Sequence, residues 1–259
     1  MKNIEITFLG TCACDFSPRL KGECRERFDL DARRSSAIMI GESVLVDCGV
    51  HTLESLRIAG KDIKKITDVF ITHLHGDHFN ADNLRAIANE KDEPLLVWVR
   101  EGANIEPMLN VQVMQMKQFD SYEAKNGISV IGMPANHDPA AYPQHFVITV
   151  DGKKLFYGCD GGWLLNETYN ALRGAKLDMV VLDATVGDYE GDFRAAEHNS
   201  IPMVRLLLPS LRTIGAIEEK TVIYLSHIAP SLHVPHERTV EIANAFGAKV
   251  AFDGEITTL

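Results

Sequence analysis

The run Thr72-His73-Leu74-His75-Gly76-Asp77-His78 packs three imidazoles and a carboxylate into six consecutive residues. Neutral imidazole and carboxylate are the donors that Zn(II), Mn(II) and Fe(II) take. A spacing of two places His73 and His75 on the same side of an extended segment, so both reach one ion. Gly76 lets the chain turn sharply, after which Asp77 and His78 face a second ion. The competing reading is a hydrogen-bonded loop that happens to be rich in histidine, and four donors at this density argue against it.

One loop cannot saturate two ions, so further donors must come from elsewhere. His137 follows ISVIGMPAN, Asp160 follows KLFYGC and His227 follows TVIYLS, and each stands where a strand finishes. Scaffolds present functional groups at such places. Singly, each is equally well a satisfied structural residue, and the weight lies in the combination. Two ions that share a carboxylate share a water, whose pKa falls until hydroxide is available near neutral pH. The electrophile it meets is phosphorus or a carbonyl carbon, and the histidine run does not choose between them.

The elements that must position these groups read as strands first. IEITFL (4–9), a hairpin over 37–49 turning near Gly41-Glu42, DVFITH (68–73) and LLVWV (95–99) are expected strands. A helix opens with Thr52 as its cap, and another runs over 80–90 with Asn80 as its cap. ISVIGMP (128–134), HFVITV (145–150) and KKLFYG (153–158) follow, the last two joined by an Asp151-Gly152 turn. Helices near 163–173, 200–212 and 235–246 then alternate with strands at 177–185 and 221–227, and KVAFDGEI is the final strand. Two sheets face to face with helices outside fit this order better than a doubly wound sheet. Without linker or repeat, the chain reads as one domain over 1–259.

Composition sets the bounds. The 259 residues are 46% hydrophobic and 24% charged, an ordinary globular balance, with no apolar run long enough for a membrane. The opening MKNIEITFLGT reads as a first strand rather than a signal peptide, so a cytoplasmic location is expected. Five scattered cysteines point to reduced thiols, and Cys12, Cys14 and Cys24 lack the knuckle spacing of a structural metal site. A net charge of −10 disfavours a broad grip on nucleic acid, with Arg33 and Arg34 either a local basic pocket or a solvated loop.

The order H-x-H-x-D-H, then His137, Asp160 and His227, resembles the metallo-β-lactamase superfamily. The likeness extends to an N-terminal strand ending in Leu9-Gly10-Thr11 and another ending in Val46-Asp47-Cys48-Gly49. It implies an α/β (α+β) fold, a four-layer αββα sandwich. It implies one divalent ion, Zn or Mn with Fe as an alternative, on His73, His75 and His137. A second ion would rest on Asp77, His78 and His227, with Asp160 bridging the two. An acidic bridge resembles phosphodiesterases and lactonases of the superfamily and argues against antibiotic hydrolysis. His198-Asn199-Ser200 resembles the segment that tRNA 3′-processing nucleases and phosphoribosyl cyclic phosphodiesterases place against the phosphate. There an imidazole holds the phosphate or protonates the leaving alkoxide, the alternative being a helix-start residue with no catalytic part.

Asp77 and His198 are thus the residues assigned a catalytic role. The closest resemblance is to the cyclic phosphodiesterase branch, carried by LSHIAP (225–230) and VAFDG (250–254). Pro230 stands where that branch places the histidine of an accessory structural zinc, so that zinc is not expected here. Arg34, Ser35 and Ser36 are within the reach of a phosphate contact but are not counted as site residues. His51, His145 and His233 lack a ligand pattern, and His236 reads as an exposed residue in the first turn of a helix begun by Pro235 and Glu237. The expected reaction is hydrolysis of a small or cyclic phosphodiester, with homodimerisation left open. A lactone or thioester hydrolase, a tRNA-processing-like nuclease and a non-catalytic metal-braced module are the competing functions.

Overall fold

Along the strand Leu177–Asp183, Met179 and Val181 point into one apolar cluster while Val180 and Leu182 point into another. A strand buried on both faces sits inside a layered sandwich, and the alternation of side chains decides which layer each residue feeds. The computed structural model describes residues 4–259.

Two seven-stranded sheets make the middle layers. The first contains β1 (Glu5–Gly10), β2 (Ala37–Ile40), β3 (Val44–Val46), β4 (Asp68–Phe70), β5 (Leu95–Arg100) and β6 (Val111–Met116). The second contains β7 (Ser121–Glu123), β8 (Ser129–Pro134), β9 (Gln144–Val150), β10 (Lys153–Gly158), β11 (Leu177–Asp183), β12 (Ile217–Ser226) and β13 (Lys249–Val250). The last strand, β14 (Ile256–Thr258), returns to the first sheet beside β1.

Phe8, Val46 and Phe70 of the first sheet meet Phe146, Tyr157, Val181 and Tyr224 of the second. Helices α1 (Thr52–Ile58) and α2 (Ala81–Asn89) cover the first sheet through Leu56, Leu84 and Ile87. Helices α3 (Asn166–Ala171), α4 (Ile201–Thr213) and α5 (His236–Asn244) lie against the second, with Leu207, Leu211 and Ala243 inward. Each fully buried Leu, Ile or Phe stabilises such a layer by about 1.5–3 kcal/mol. The αββα order is the expected one. Strands β3 to β6 are parallel, as are β10 to β13, so their carboxyl ends gather along one edge of the sandwich.

Several local expectations need correction. Thr52 does not cap α1; the cap position is His51 without a side-chain bond, and Thr52 Oγ1 is buried without a partner. Chain 68–73 leaves the sheet after Phe70, because Thr72 and His73 are drawn into buried side-chain bonds. Residues 163–165 are not helical, since Asn199 Nδ2 holds the carbonyls of Gly161 and Gly162 and delays α3 to Asn166. KVAFDGEI is two strands in two sheets, parted by a turn with Gly254 at φ 86°. Strands β6 and β7 lie outside the strands expected from the sequence, although Val-Gln-Val-Met-Gln-Met alternates as an edge strand does.

Arg33 and Arg34 do not form a solvated loop, and Arg33 borders a small cavity with His233 and His236. Both are buried. Arg33 donates to Thr11 Oγ1 and Ala251 O at 2.6 Å, and Arg34 to Cys24 O and Glu54 Oε1 at 2.6 and 2.7 Å. Ser35 Oγ and Ser36 Oγ are likewise spent on His51 N and Cys12 O. His236 is half-buried rather than exposed, with Nδ1 2.8 Å from Arg33. The five cysteines are free, with Cys14 alone exposed. Among the described residues no helix is long and apolar enough to cross a membrane.

Candidate metal centre

Asp47 follows β3, His73 follows β4, His137 follows β8, Asp160 follows β10, Asp183 ends β11 and His227 follows β12. Three of these, Asp47, Asp160 and His227, have φ of 66°, 54° and 57°, in the left-handed region that side chains rarely adopt. There the chain leaves its strand abruptly and turns the side chain over the sheet edge. Such conformations persist where surrounding structure over-determines them, commonly at functional sites.

The seven candidate ligands come together, and five of them, His75, Asp77, His137, Asp160 and His227, line a cavity of about 340 Å³. His73, His75, His137 and Asp160 have donor atoms within 4.8 Å of one another, and so do Asp77, His78, Asp160 and His227. Asp160 belongs to both groups, the position a shared carboxylate needs. Its Oδ2 lies 3.1 Å from His73 Nε2, 3.5 Å from His78 Nε2 and 3.4 Å from His227 Nε2. Asp77 Oδ2 lies 3.5 Å from His78 Nε2 and 3.7 Å from His227 Nε2, within the second group. His75 is the half-exposed member, its Nδ1 3.1 Å from both His73 Nε2 and His137 Nε2.

The donor chemistry fits cations. His78 donates through Nδ1 to Asp47 Oδ2 at 2.7 Å, and His227 Nδ1 faces Asp183 Oδ2 at 3.1 Å. With those nitrogens committed, neutral imidazoles present two Nε2 lone pairs to each other at 3.2 Å. Facing lone pairs repel, and a cation between them relieves the repulsion. His137 Nδ1 is buried without a hydrogen-bond partner, a costly state that a positive ion also relieves. Burial pushes His137 down to about 4, so its lone pair is free at neutral pH. Protons are the alternative occupants at His227. Burial opposes its charge, but Asp160 and Asp183 outweigh burial and hold its pKa well up.

Asp47 and Asp183, which the sequence reading does not single out, orient the ligands. Asp47 Oδ1 accepts from Thr72 N and Thr72 Oγ1, both at 2.8 Å, and Oδ2 fixes the His78 tautomer. Asp183 accepts from Thr185 N, Thr185 Oγ1 and Asn199 N while facing His227. Carboxylate partners of this kind set which nitrogen a ligating histidine offers. The one available signal is that Val-Asp-Cys-Gly and Leu-Asp-Ala-Thr, like the Asp160 segment, place an aspartate at a strand end.

His198, just before α4, joins the same cavity. Its Nδ1 sits 3.1 Å from Asp160 Oδ1 and 3.3 Å from Asp183 Oδ2. Burial disfavours its charge, but the bonds to Asp160 and Asp183 prevail and push it up to about 10. Nδ1 is thereby occupied as a donor, and Nε2 remains for a substrate. Arg194 and Glu197 line the cavity beside it.

Known proteins bear on this arrangement in two ways. A crystal structure of a new diphosphatase from the PhnP family matches 100% of this chain and 98% of its own, with TM-score 0.76 and 21% identity. Human tRNase Z, short form (ELAC1), matches over 98% of both chains with TM-score 0.64 and 18% identity. At these identities the likeness is one of fold. In sequence, human zinc phosphodiesterase ELAC protein 1 is 39% identical over 80 residues, 30% of this chain and 18% of that protein. Ribonuclease Z of Methanothermobacter thermautotrophicus is 39% identical over 75 residues, 29% and 21% of the two chains. The aligned stretches thus span about a fifth of those relatives. Residues 42–252 match the family described as a Beta-lactamase superfamily domain. The chain therefore belongs to the β-lactamase superfamily.

Proposed function

We propose that this protein is a dinuclear phosphodiesterase acting on a small or cyclic phosphodiester. The observation that carries the reading is His198, an imidazole that lines the cavity with its Nδ1 3.1 Å from Oδ1 of the shared carboxylate Asp160. His73, His75 and His137 would hold one divalent ion, Zn or Mn with Fe as an alternative. Asp77, His78 and His227 would hold the other, and Asp160 would touch both. When bound, such ions supply Lewis acidity to phosphoryl oxygens and make hydroxide available near neutral pH.

The chain's own groups do the rest. Asp47 and Asp183 keep the protons of His78 and His227 on Nδ1, so that both Nε2 atoms turn toward each other beside Asp160. Asp77 contributes negative charge beside them rather than a proton, because His78 and His227 overcome the cost of its burial and hold its carboxyl well below the usual range. His198 Nδ1 donates to Asp160 and Asp183, and its Nε2 is positioned to carry a proton to a departing alkoxide. An alkoxide needs that proton far more than a thiolate does, which favours a phosphodiester over a thioester.

The stretch shared with ribonuclease Z favours a second reading, a nuclease, against which the net charge of −10 weighs. The deciding experiment loads metal-stripped protein with Mn(II) or Zn(II) and follows bis(p-nitrophenyl) phosphate, cyclic phosphodiesters and a structured RNA, with His75→Ala beside it. Metal-dependent turnover of the small esters, lost in the variant, supports the proposal. RNA cleavage alone supports the nuclease. Bound metal without turnover of any of them moves the reading to lactones and thioesters, and inertness toward those as well leaves a metal-braced binding module.

A further inference from the structure

The segment that follows His227 borders a second cavity, of about 230 Å³, which shares no lining residue with the metal cavity. Asp31, Arg33, His233, Val234, His236 and Thr239 stand on its wall. His236 and Thr239 belong to the first turn of α5, where unpaired amides and the helix dipole favour negative charge.

Arg33 is 3% exposed, and its hydrogen bonds go to neutral groups. Nη1 donates to Thr11 Oγ1 and Ala251 O, both at 2.6 Å, and Nη2 donates to His236 Nδ1 at 2.8 Å. Among the described residues no carboxylate oxygen lies within 4.0 Å of the guanidinium. Asp253 meets it through Thr11, whose hydroxyl donates to Asp253 Oδ1 at 2.8 Å, while Asp253 Oδ2 takes the Arg34 amide. A buried cation without a contacting counter-charge is costly, and an anion in the adjoining cavity offsets that cost. His236 adds a second donor, because Nδ1 accepts from Arg33 and the proton therefore lies on Nε2. The same wall carries acceptors. His233 Nε2 donates to Ala184 O at 2.7 Å, which leaves Nδ1 as a lone pair, buried without a hydrogen-bond partner. Asp31 supplies a carboxylate, one oxygen of which accepts the His236 amide at 3.1 Å.

Donors on Arg33 and His236 beside acceptors on His233 and Asp31 select an anion that both accepts and donates. Sulfate accepts from the guanidinium but brings no proton to the carboxylate, which repels it. Monohydrogen phosphate matches both sets, since its oxygens accept from Arg33 and His236 and its own O–H donates to a carboxylate or an imidazole. We propose that this cavity is a binding site for inorganic hydrogen phosphate, separate from the metal centre and independent of the reaction carried out there.

The test is calorimetric titration with phosphate, sulfate and methyl phosphate in mildly alkaline buffer, where phosphate keeps one proton and the other two have none. Metal-loaded protein and His75→Ala are titrated side by side, because phosphate also meets ions at the metal centre. His75→Ala is expected to retain the phosphate site. It should prefer phosphate to sulfate and to methyl phosphate by at least about 10-fold, the loss expected when a hydrogen bond to a charged group is left unmade. Val234→Trp fills the cavity from a position that is 47% exposed and should weaken phosphate binding by at least about 10-fold, as should Arg33→Gln. Asp31→Asn turns an amide donor toward the ligand, so sulfate should gain affinity and come within about 3-fold of phosphate. If Arg33→Gln fails to fold, Val234→Trp and Asp31→Asn decide the matter from the surface. Phosphate binding lost in folded His75→Ala would assign the anion to the metal centre and overturn the proposal. Affinity unmoved by Val234→Trp, or equal affinity for phosphate and sulfate in the unaltered cavity, would overturn it as well.

Discussion

Replacing Asp47 by Asn tests whether a buried carboxylate outside the ligand set governs one ion and not the other. Asp47 is fully buried, and its Oδ2 accepts the His78 Nδ1 proton at 2.7 Å. Asparagine keeps an acceptor for Thr72 but turns an amide N–H toward His78, so two donors meet. The conflict resolves when His78 moves its proton to Nε2, which removes the lone pair an ion needs. A hydrogen bond to a charged group contributes about 1.5–3 kcal/mol, corresponding to roughly a 10- to 150-fold loss of affinity for the ion held by Asp77, His78 and His227. The other group is linked to Asp47 only through Thr72 Oγ1, 3.0 Å from His73 Nδ1, and should weaken by less than about 5-fold. Competition with a chromophoric chelator, fitted to two sites, separates the affinities, and the circular dichroism spectrum establishes that the variant is folded. Two unchanged affinities in a folded variant would refute the reasoning; equal losses at both sites would assign Asp47 to the scaffold as a whole.

Three further outcomes follow from the geometry. A Cβ at Gly49 would lie 1.8 Å from Asp77 O, so Gly49→Ala displaces the ligand loop and should lower metal content below one ion per chain, read by elemental analysis of folded protein. Stripping metal should lower the melting temperature: at free metal near a hundred times Kd each ion contributes about 2.7 kcal/mol, roughly 5–10 °C per ion for a chain of this size, and an unchanged value would contradict cation binding. Burial pushes Asp253 up to about 6 despite the attraction of Arg33. Its folded pKa thus exceeds the unfolded value near 3.9, so the native state keeps a proton that the unfolded chain releases, and stability falls as pH rises from about 4 to about 6. The stability of the metal-free protein relative to Asp253→Asn should drop by about 3 kcal/mol across that window in urea unfolding; a constant difference would show that Asp253 does not titrate there.

What the sequence by itself determined is the identity of the donors. Imidazole and carboxylate at H-x-H-x-D-H spacing are local chemistry, and alternation along 128–134, 145–150 and 153–158 exposes the strands whose ends carry His137 and Asp160. What only the tertiary structure decided is convergence and support. Asp47, Asp160 and Asp183 look alike as strand-end aspartates. Parallel pairing of β3 with β4 and of β11 with β10 and β12 brings Asp47 to His78 and Asp183 to His227, and leaves Asp160 between the two groups. Arg33 and Arg34 were equally ambiguous, because a guanidinium reads as solvated until distant carbonyls and Glu54 close around it. The physical reason is the same throughout: a residue's donor chemistry belongs to the residue, whereas its pKa, tautomer and partners belong to neighbours that only the folded chain supplies.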